Sequence, residues 1–153
     1  MRDAYLEELL PRLKQRAYEV TSPRSDAQNC IGHALQANLY FDPGVGGTFI
    51  EGRYWPPDIR ADDSVEAWIQ LFEMHQFHEC ANGDLEAGME KIAIYVGEDG
   101  DTSHCARQLP SGQWTSKLNK LEDIRHDSLA DLLSPPEYAA VVKFMSRPLK
   151  DDG

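Results

Sequence analysis

The sequence predicts an α+β fold, with N-terminal helices packed on an antiparallel β-meander. Two observations predict it. Apolar residues recur at helical spacing in the first half, and from KIAIYV onward the period changes to alternation. Helices first and strands afterwards is the order of an α+β chain, not of alternating βαβ units. Residues 1–153 read as one domain, with an N-terminal helical segment over 1–20 and a polar tail over 148–153 expected to fray.

From Arg2 to Val20 the apolar positions Tyr5, Leu6, Leu9, Leu10, Leu13, Ala17 and Val20 keep helical spacing. Pro11 interrupts them, so two short helices or one kinked helix is expected. TSPRSDAQ then reads as a turn. NCIGHALQANL is helical again, with Asp26 or Asn29 able to accept from the free amides as N-cap. The stretch from Tyr40 to Pro57, rich in Gly, Pro and aromatic residues, reads as an irregular covering loop; its GVGG lacks the following GK[ST] of a phosphate loop. Asp63 and Glu66 suggest a capping box before a helix whose stripe is Val65, Trp68, Ile69 and Phe72, ending near His75. KIAIYV, SHCARQL, QWTSKL and YAAVVKFMSR are the expected strands. GEDGD and PSG are turns, and a short helix is expected around Asp127 to Leu133.

Composition narrows the function. Of 153 residues, 15 are Lys or Arg and 26 are Asp or Glu, a formal charge of −11. That balance repels phosphates and argues against nucleic acid or an anionic membrane as partner. An apolar content of 41% with 27% charged residues is globular, not disordered. No apolar run approaches the ~18 residues of a membrane span, and the charged N-terminus lacks the apolar core of a signal peptide. With 3 cysteines and no need for disulfide staples, a reduced, cytoplasmic protein is expected.

Cys30 opens a predicted helix, where unpaired amides and the macrodipole stabilise the nucleophilic thiolate. A buried, inert thiol is the alternative. His104 begins a predicted strand after the acidic GEDGDT turn, and a nucleophile at a helix start facing a histidine on a sheet is the arrangement of Cys–His catalysis. Alternation puts His104, Ala106 and Gln108 on one face and Cys105 and Arg107 on the other.

NCIGHAL, EKIAIYV and SHCARQLPSGQWTSKL together resemble the papain-like superfamily in its compact NlpC-type form. The stretch from Val20 to Pro148 is also similar to an uncharacterised bacterial family with the loose pattern NCI…A, EKIA.Y, H.ARQL and WTSKL. The resemblance implies Cys30 as nucleophile and His104 as general base. It also implies Asn29 or Gln28 beside the Cys30 amide in an oxyanion hole, and a third residue on the following strand. Ser116 is the first choice there, with Asp123 and His126 just beyond. The chain departs from the pattern at His33, where the family has Trp, and at Asn119, where it has Gly. His33 reads as a helix-surface histidine. His75, His78 and Cys80, with Cys30 and His33, lack the paired knuckles of structural zinc, so no metal and no cofactor is expected.

The expected function is a cysteine hydrolase or acyl-transfer enzyme acting on an amide, isopeptide or thioester of a peptide or protein. The alternative is a non-catalytic, acidic protein-binding module on the same fold, suited to a basic partner.

Overall fold

The structure, a computed structural model, describes residues 2–25, 27–118 and 121–149. The chain begins with α1 (Ala4–Leu9), a 3₁₀ turn (Pro11–Gln15) and β1 (Tyr18–Ser22). It continues through α2 (Cys30–Leu35), β2 (Tyr40–Phe41), β3 (Phe49–Ile50), β4 (Arg53–Tyr54), α3 (Val65–Met74) and β5 (His78–Cys80). The second half holds β6 (Met89–Val96), β7 (Thr102–Gln108), β8 (Trp114–Lys117), β9 (Asp123–His126), a 3₁₀ turn (Leu129–Leu132) and β10 (Ala140–Pro148). The predicted α+β class holds: the helices are few and short, and the main sheet is antiparallel.

That sheet has seven strands in the order β1-β9-β8-β7-β6-β10-β5. β6, β7 and β8 form the expected meander, β9 extends it unexpectedly, and β10 does not continue it but returns to the far side of β6. Ile92, Ile94, Cys105 and Met145 on one face meet Ile31, Ala34 and Leu35 of α2, Trp68, Leu71 and Phe72 of α3, and Trp55. On the other face Ala93, Tyr95, Ala106, Trp114 and Ile124 pack on Leu6, Leu10, Leu13 and Leu132. Three layers result, with apolar cores on both sides of the sheet.

Several elements differ from expectation for identifiable reasons. Pro11 stops α1 and opens the 3₁₀ turn, since it has no amide to donate. The helical segment ends there and does not reach Val20. Tyr18, Glu19 and Val20 pair with His126, Arg125 and Ile124, so β1 covers an edge that β9 would otherwise expose. Ser64, not Asp63, caps α3, its Oγ accepting from Ala67 N at 3.1 Å. Asp63 lies one residue early and ties the helix to the sheet, its carbonyl accepting from Thr102 N at 2.8 Å and Thr102 Oγ1 at 2.7 Å. The Tyr40–Pro57 segment is not wholly irregular: β2, β4 and β3 form a small second sheet. The tail is ordered as far as Leu149, whose amide donates to Gly88 O at 2.9 Å. Asp26 and Asn119, and the tail from Lys150, lie outside the described residues.

Two histidines are packed against the sheet in neutral form. His126 Nδ1 lies 2.9 Å from Ser128 O, which can only accept, so Nε2 accepts from the Ser116 hydroxyl at 2.8 Å. Burial pushes its pKa down to about 4. His33, far from being a surface residue, packs its Nε2 2.8 Å from Thr115 Oγ1, with Nδ1 3.7 Å from Asp123 Oδ2. Burial lowers it to about 4 as well.

Two stability predictions follow from the packing. A Cβ on Gly32, in the middle of α2, would sit 2.0 Å from the backbone oxygen of Leu39. Gly32→Ala is expected to cost about 2–3 kcal/mol, the overpacking range, and to lower the melting temperature by several degrees. An unchanged melting curve would refute this close approach. His126 titrates near 6.5 when unfolded and about 4 when folded, so between those values the unfolded chain binds more protons. Stability is therefore full above pH 6.5 and falls toward pH 4, by on the order of 2–3 kcal/mol for this residue. Urea unfolding across that range should give a shallower pH slope for His126→Gln than for wild type.

Candidate functional site

Cys30 is the first residue of α2 and is 7% exposed. Its position follows from Asn29, the N-cap, whose Oδ1 accepts from Gly32 N at 3.2 Å and from Phe41 N at 3.2 Å. The Asn29 Nδ2 donates to Phe41 O at 2.7 Å. One carboxamide thus fastens the start of the helix to β2. These bonds occupy Asn29, and Gln28 Nε2 is likewise taken by Ala37 O at 3.0 Å. Neither side chain is placed as an oxyanion donor.

His104 is 1% exposed and lies on the face of β7 opposite to α2. It still meets Cys30, because the sheet is split there. Among the described residues β7 pairs with β8 only at Arg107–Thr115 and Gln108–Trp114. Toward His104 that ladder ends. The register between β6 and β7 also shifts, with Tyr95 opposite His104 and Val96 opposite Thr102, which leaves Ser103 as an extra residue. α2 packs on both β7 and β8, so its Cys30 end reaches residues from both faces of β7.

The Cys30 thiol is held well below the ordinary thiol range. The largest cause is a hydrogen bond from the Cys105 thiol; burial opposes it, and a hydrogen bond and charge from His104 add to it. Burial and the neighbouring Cys30 sulfur push Cys105 the other way, so it keeps its proton. The two sulfurs have opposite characters.

The His104 ring is stacked on Tyr138 with centroids 5.1 Å apart and planes 15° from parallel, and is tilted against Tyr95 at 5.2 Å. The Tyr95 hydroxyl donates to Leu129 O at 2.7 Å, which fixes that wall. Among the described residues His104 Nε2 is buried without a hydrogen-bond partner. Ser116, first choice for the third member, is committed to His126, and Asp123 faces His33. None of the three holds the His104 ring. The structure therefore brings together Cys30 and His104, with Asn29 behind them, keeps Ser116 and His126 hydrogen-bonded to each other, and turns the Asp123 carboxylate toward His33 at 3.7 Å.

Cys30, His104 and Ser103 line one cavity of about 480 Å³. Its walls include Leu9 and Leu10 of the N-terminal helical layer, Trp68 of α3, and Pro135 to Tyr138. Sequence reasoning missed Tyr138, because nothing in PPEY marks it as a partner of a distant histidine. It also missed Cys105: alternation put Cys105 on the face opposite His104, and the structure packs α2 on that face, not on the His104 face.

The other histidines and Cys80 serve elsewhere. His75 ends α3 and packs edge-on to Phe41 at 6.2 Å, while Cys80 Sγ lies 3.5 Å from Asn82 O on β5. Among the described residues no group of three His, Cys, Asp or Glu side chains is placed to hold a metal ion. No helix among them is long and apolar enough to cross a membrane.

No curated protein and no solved structure matches the chain. A family model described as a domain of unknown function, DUF7689, matches residues 19–146. That match spans most of the chain, from β1 into β10, and includes Cys30, His104 and Tyr138 but not Leu9 and Leu10 of the cavity wall. The chain therefore belongs to the DUF7689 family.

Proposed function

We propose that the protein is a cysteine hydrolase or acyl-transfer enzyme with a papain-like division of labour. One observation carries the reading: Cys30 and His104, from opposite faces of the sheet, meet on the wall of a single cavity. In this reading the Cys30 thiolate attacks an amide, isopeptide or thioester carbonyl. His104 carries the thiol proton and delivers it to the leaving group, giving an acyl-thioester. Water or an acceptor amine, deprotonated by His104, then releases the acyl group. In this reading the first backbone amides of α2 stabilise the oxyanion. Leu9, Leu10, Trp68 and Tyr138 favour an acyl group with an apolar portion.

A second reading is a non-catalytic acidic binding module. Glu98, Asp99, Asp101 and Glu137 surround a hollow that adjoins the cavity through Ser103, Pro136 and Glu137, a setting suited to a basic peptide. On that reading the thiol has no role.

Iodoacetamide labelling across pH, resolved by peptide mapping, separates the two. Cys30 is expected to label well below the ~8.5 of an ordinary thiol. His104→Ala removes one stabiliser of the thiolate and is expected to move Cys30 labelling to higher pH. Ordinary titration of Cys30 in both proteins would overturn the hydrolase reading. Cys30→Ala is expected to abolish acyl-enzyme formation on thioester or activated-ester probes, by at least 10²-fold in rate.

A further inference from the structure

The acyl chemistry proposed for Cys30 leaves Cys105 unused. Cys105 is 1% exposed, carries a free thiol and belongs to the same apolar cluster as Cys30. A buried cysteine is commonly a small apolar filler. This one instead neighbours a second sulfur, that of Cys30, and each shifts the other's hold on its proton. The two cysteines come from α2 and β7, elements packed directly on each other. Cys30 lines the cavity, and Cys105 is buried behind it in the core. Their exposure to solvent species is therefore ordered: a small oxidant entering the cavity meets Cys30 first.

We propose that Cys105 is the resolving thiol of a reversible Cys30–Cys105 disulfide formed when a hydroperoxide enters the cavity. In the first step the Cys30 thiolate attacks one peroxide oxygen and the O–O bond breaks. Cys30 becomes a sulfenic acid, and the other oxygen leaves as alcohol or water after taking up a proton. In the second step the Cys105 sulfur attacks the Cys30 sulfur. The S–O bond breaks, the S–S bond forms, and the sulfenic oxygen leaves as water with the Cys105 proton. The thiol pair has then given two electrons to one hydroperoxide. A dithiol returns both residues to thiols by exchange. The opposite characters of the two sulfurs suit these roles, since a reactive thiolate is needed first and a protonated partner supplies the proton lost with water. The two sulfurs share one buried cluster on elements packed directly together, and a disulfide needs them to close to the S–S bond length of about 2.05 Å. Cys80 lies on β5, separated from β7 by β10 and β6, and is not a competing partner.

While oxidised, Cys30 cannot attack an acyl carbonyl and cannot pass to the irreversible sulfinic state. The inference shares the Cys30 thiolate with the hydrolase reading but needs no acyl substrate, so each can fail alone.

The test uses the full chain, reduced, desalted and exposed at pH 8 to a few equivalents of hydrogen peroxide. Remaining thiols are alkylated, and the protein is digested without reductant and mapped by mass. Wild type is expected to give a linked Cys30–Cys105 peptide, lighter by two hydrogens than its parts, lost on treatment with dithiothreitol, with Cys80 still alkylated. Cys105→Ala is expected to trap Cys30 as sulfenic acid, with dimedone labelling several-fold above wild type. Cys105→Ser serves if the alanine variant does not fold, and the wild-type linked peptide needs no variant. Absence of that peptide, with equal dimedone labelling in wild type and variant, overturns the disulfide. If Cys30 nonetheless labels with iodoacetamide at low pH, the hydrolase reading stands without it. A linked peptide with no acyl-enzyme formed on any probe supports the disulfide and removes the hydrolase reading.

Discussion

The arrangement around the cavity depends on one carboxamide. Asn29 caps α2 through Gly32 N and, through both its oxygen and its nitrogen, binds the backbone of Phe41. These bonds make the helix start and β2 a single unit, with Cys30 as the next residue. The polypeptide then turns back so tightly that Leu39 O occupies the space a Cβ on Gly32 would need. A helix of six residues has little stability of its own. Its orientation is set by this clamp and by the apolar contacts of Ile31, Ala34 and Leu35 with the sheet.

The second determinant is the interruption of the sheet. In a continuous antiparallel ladder, neighbours on one strand point to opposite sides and cannot serve one cavity. Here Cys105 and His104 are neighbours on β7, and both act on the Cys30 sulfur. The short β7–β8 ladder and the extra residue Ser103 make this possible. The cost is visible nearby: Ser103 Oγ and His104 Nε2 are buried polar atoms without partners among the described residues. Orphaned polar atoms are expensive in a stable core, and their concentration beside a cavity marks the place where packing yields to another requirement.

Cys30 and His104 were legible in the sequence because their signals are local. A short polar residue before a helical stripe narrows the cap to Asp26 or Asn29, and a histidine after an acidic turn sits at a strand start. β1 was not legible, since Ala17 and Val20 happen to extend the helical spacing of Leu9 and Leu13. Its strand state is set by pairing with β9, more than a hundred residues away. DIRH is too short to show alternation, so β9 was missed as well. The third-residue question was unanswerable for a similar reason. Whether Ser116 faces His104 or His126 depends on how β8 is registered against both neighbours, and β8 pairs fully with β9 while leaving β7 early.

That registration shapes what His104 can do. A carboxylate or amide hydrogen-bonded to an imidazole fixes both its plane and its tautomer. Two aromatic rings fix only the plane. With Tyr138 stacked on one side and Tyr95 tilted against it, His104 is held in position, but the rings do not discriminate between its two nitrogens. The groups that do are those inside the cavity: the Cys30 sulfur and whatever ligand enters. The proton of the pair is therefore governed by sulfur chemistry and by the occupant, not by a fixed orienting side chain. For the same reason the Cys105 thiol carries more weight here than a resting core cysteine would. Its hydrogen bond heads the influences that lower the Cys30 thiol, and His104 adds to it through both a hydrogen bond and its charge.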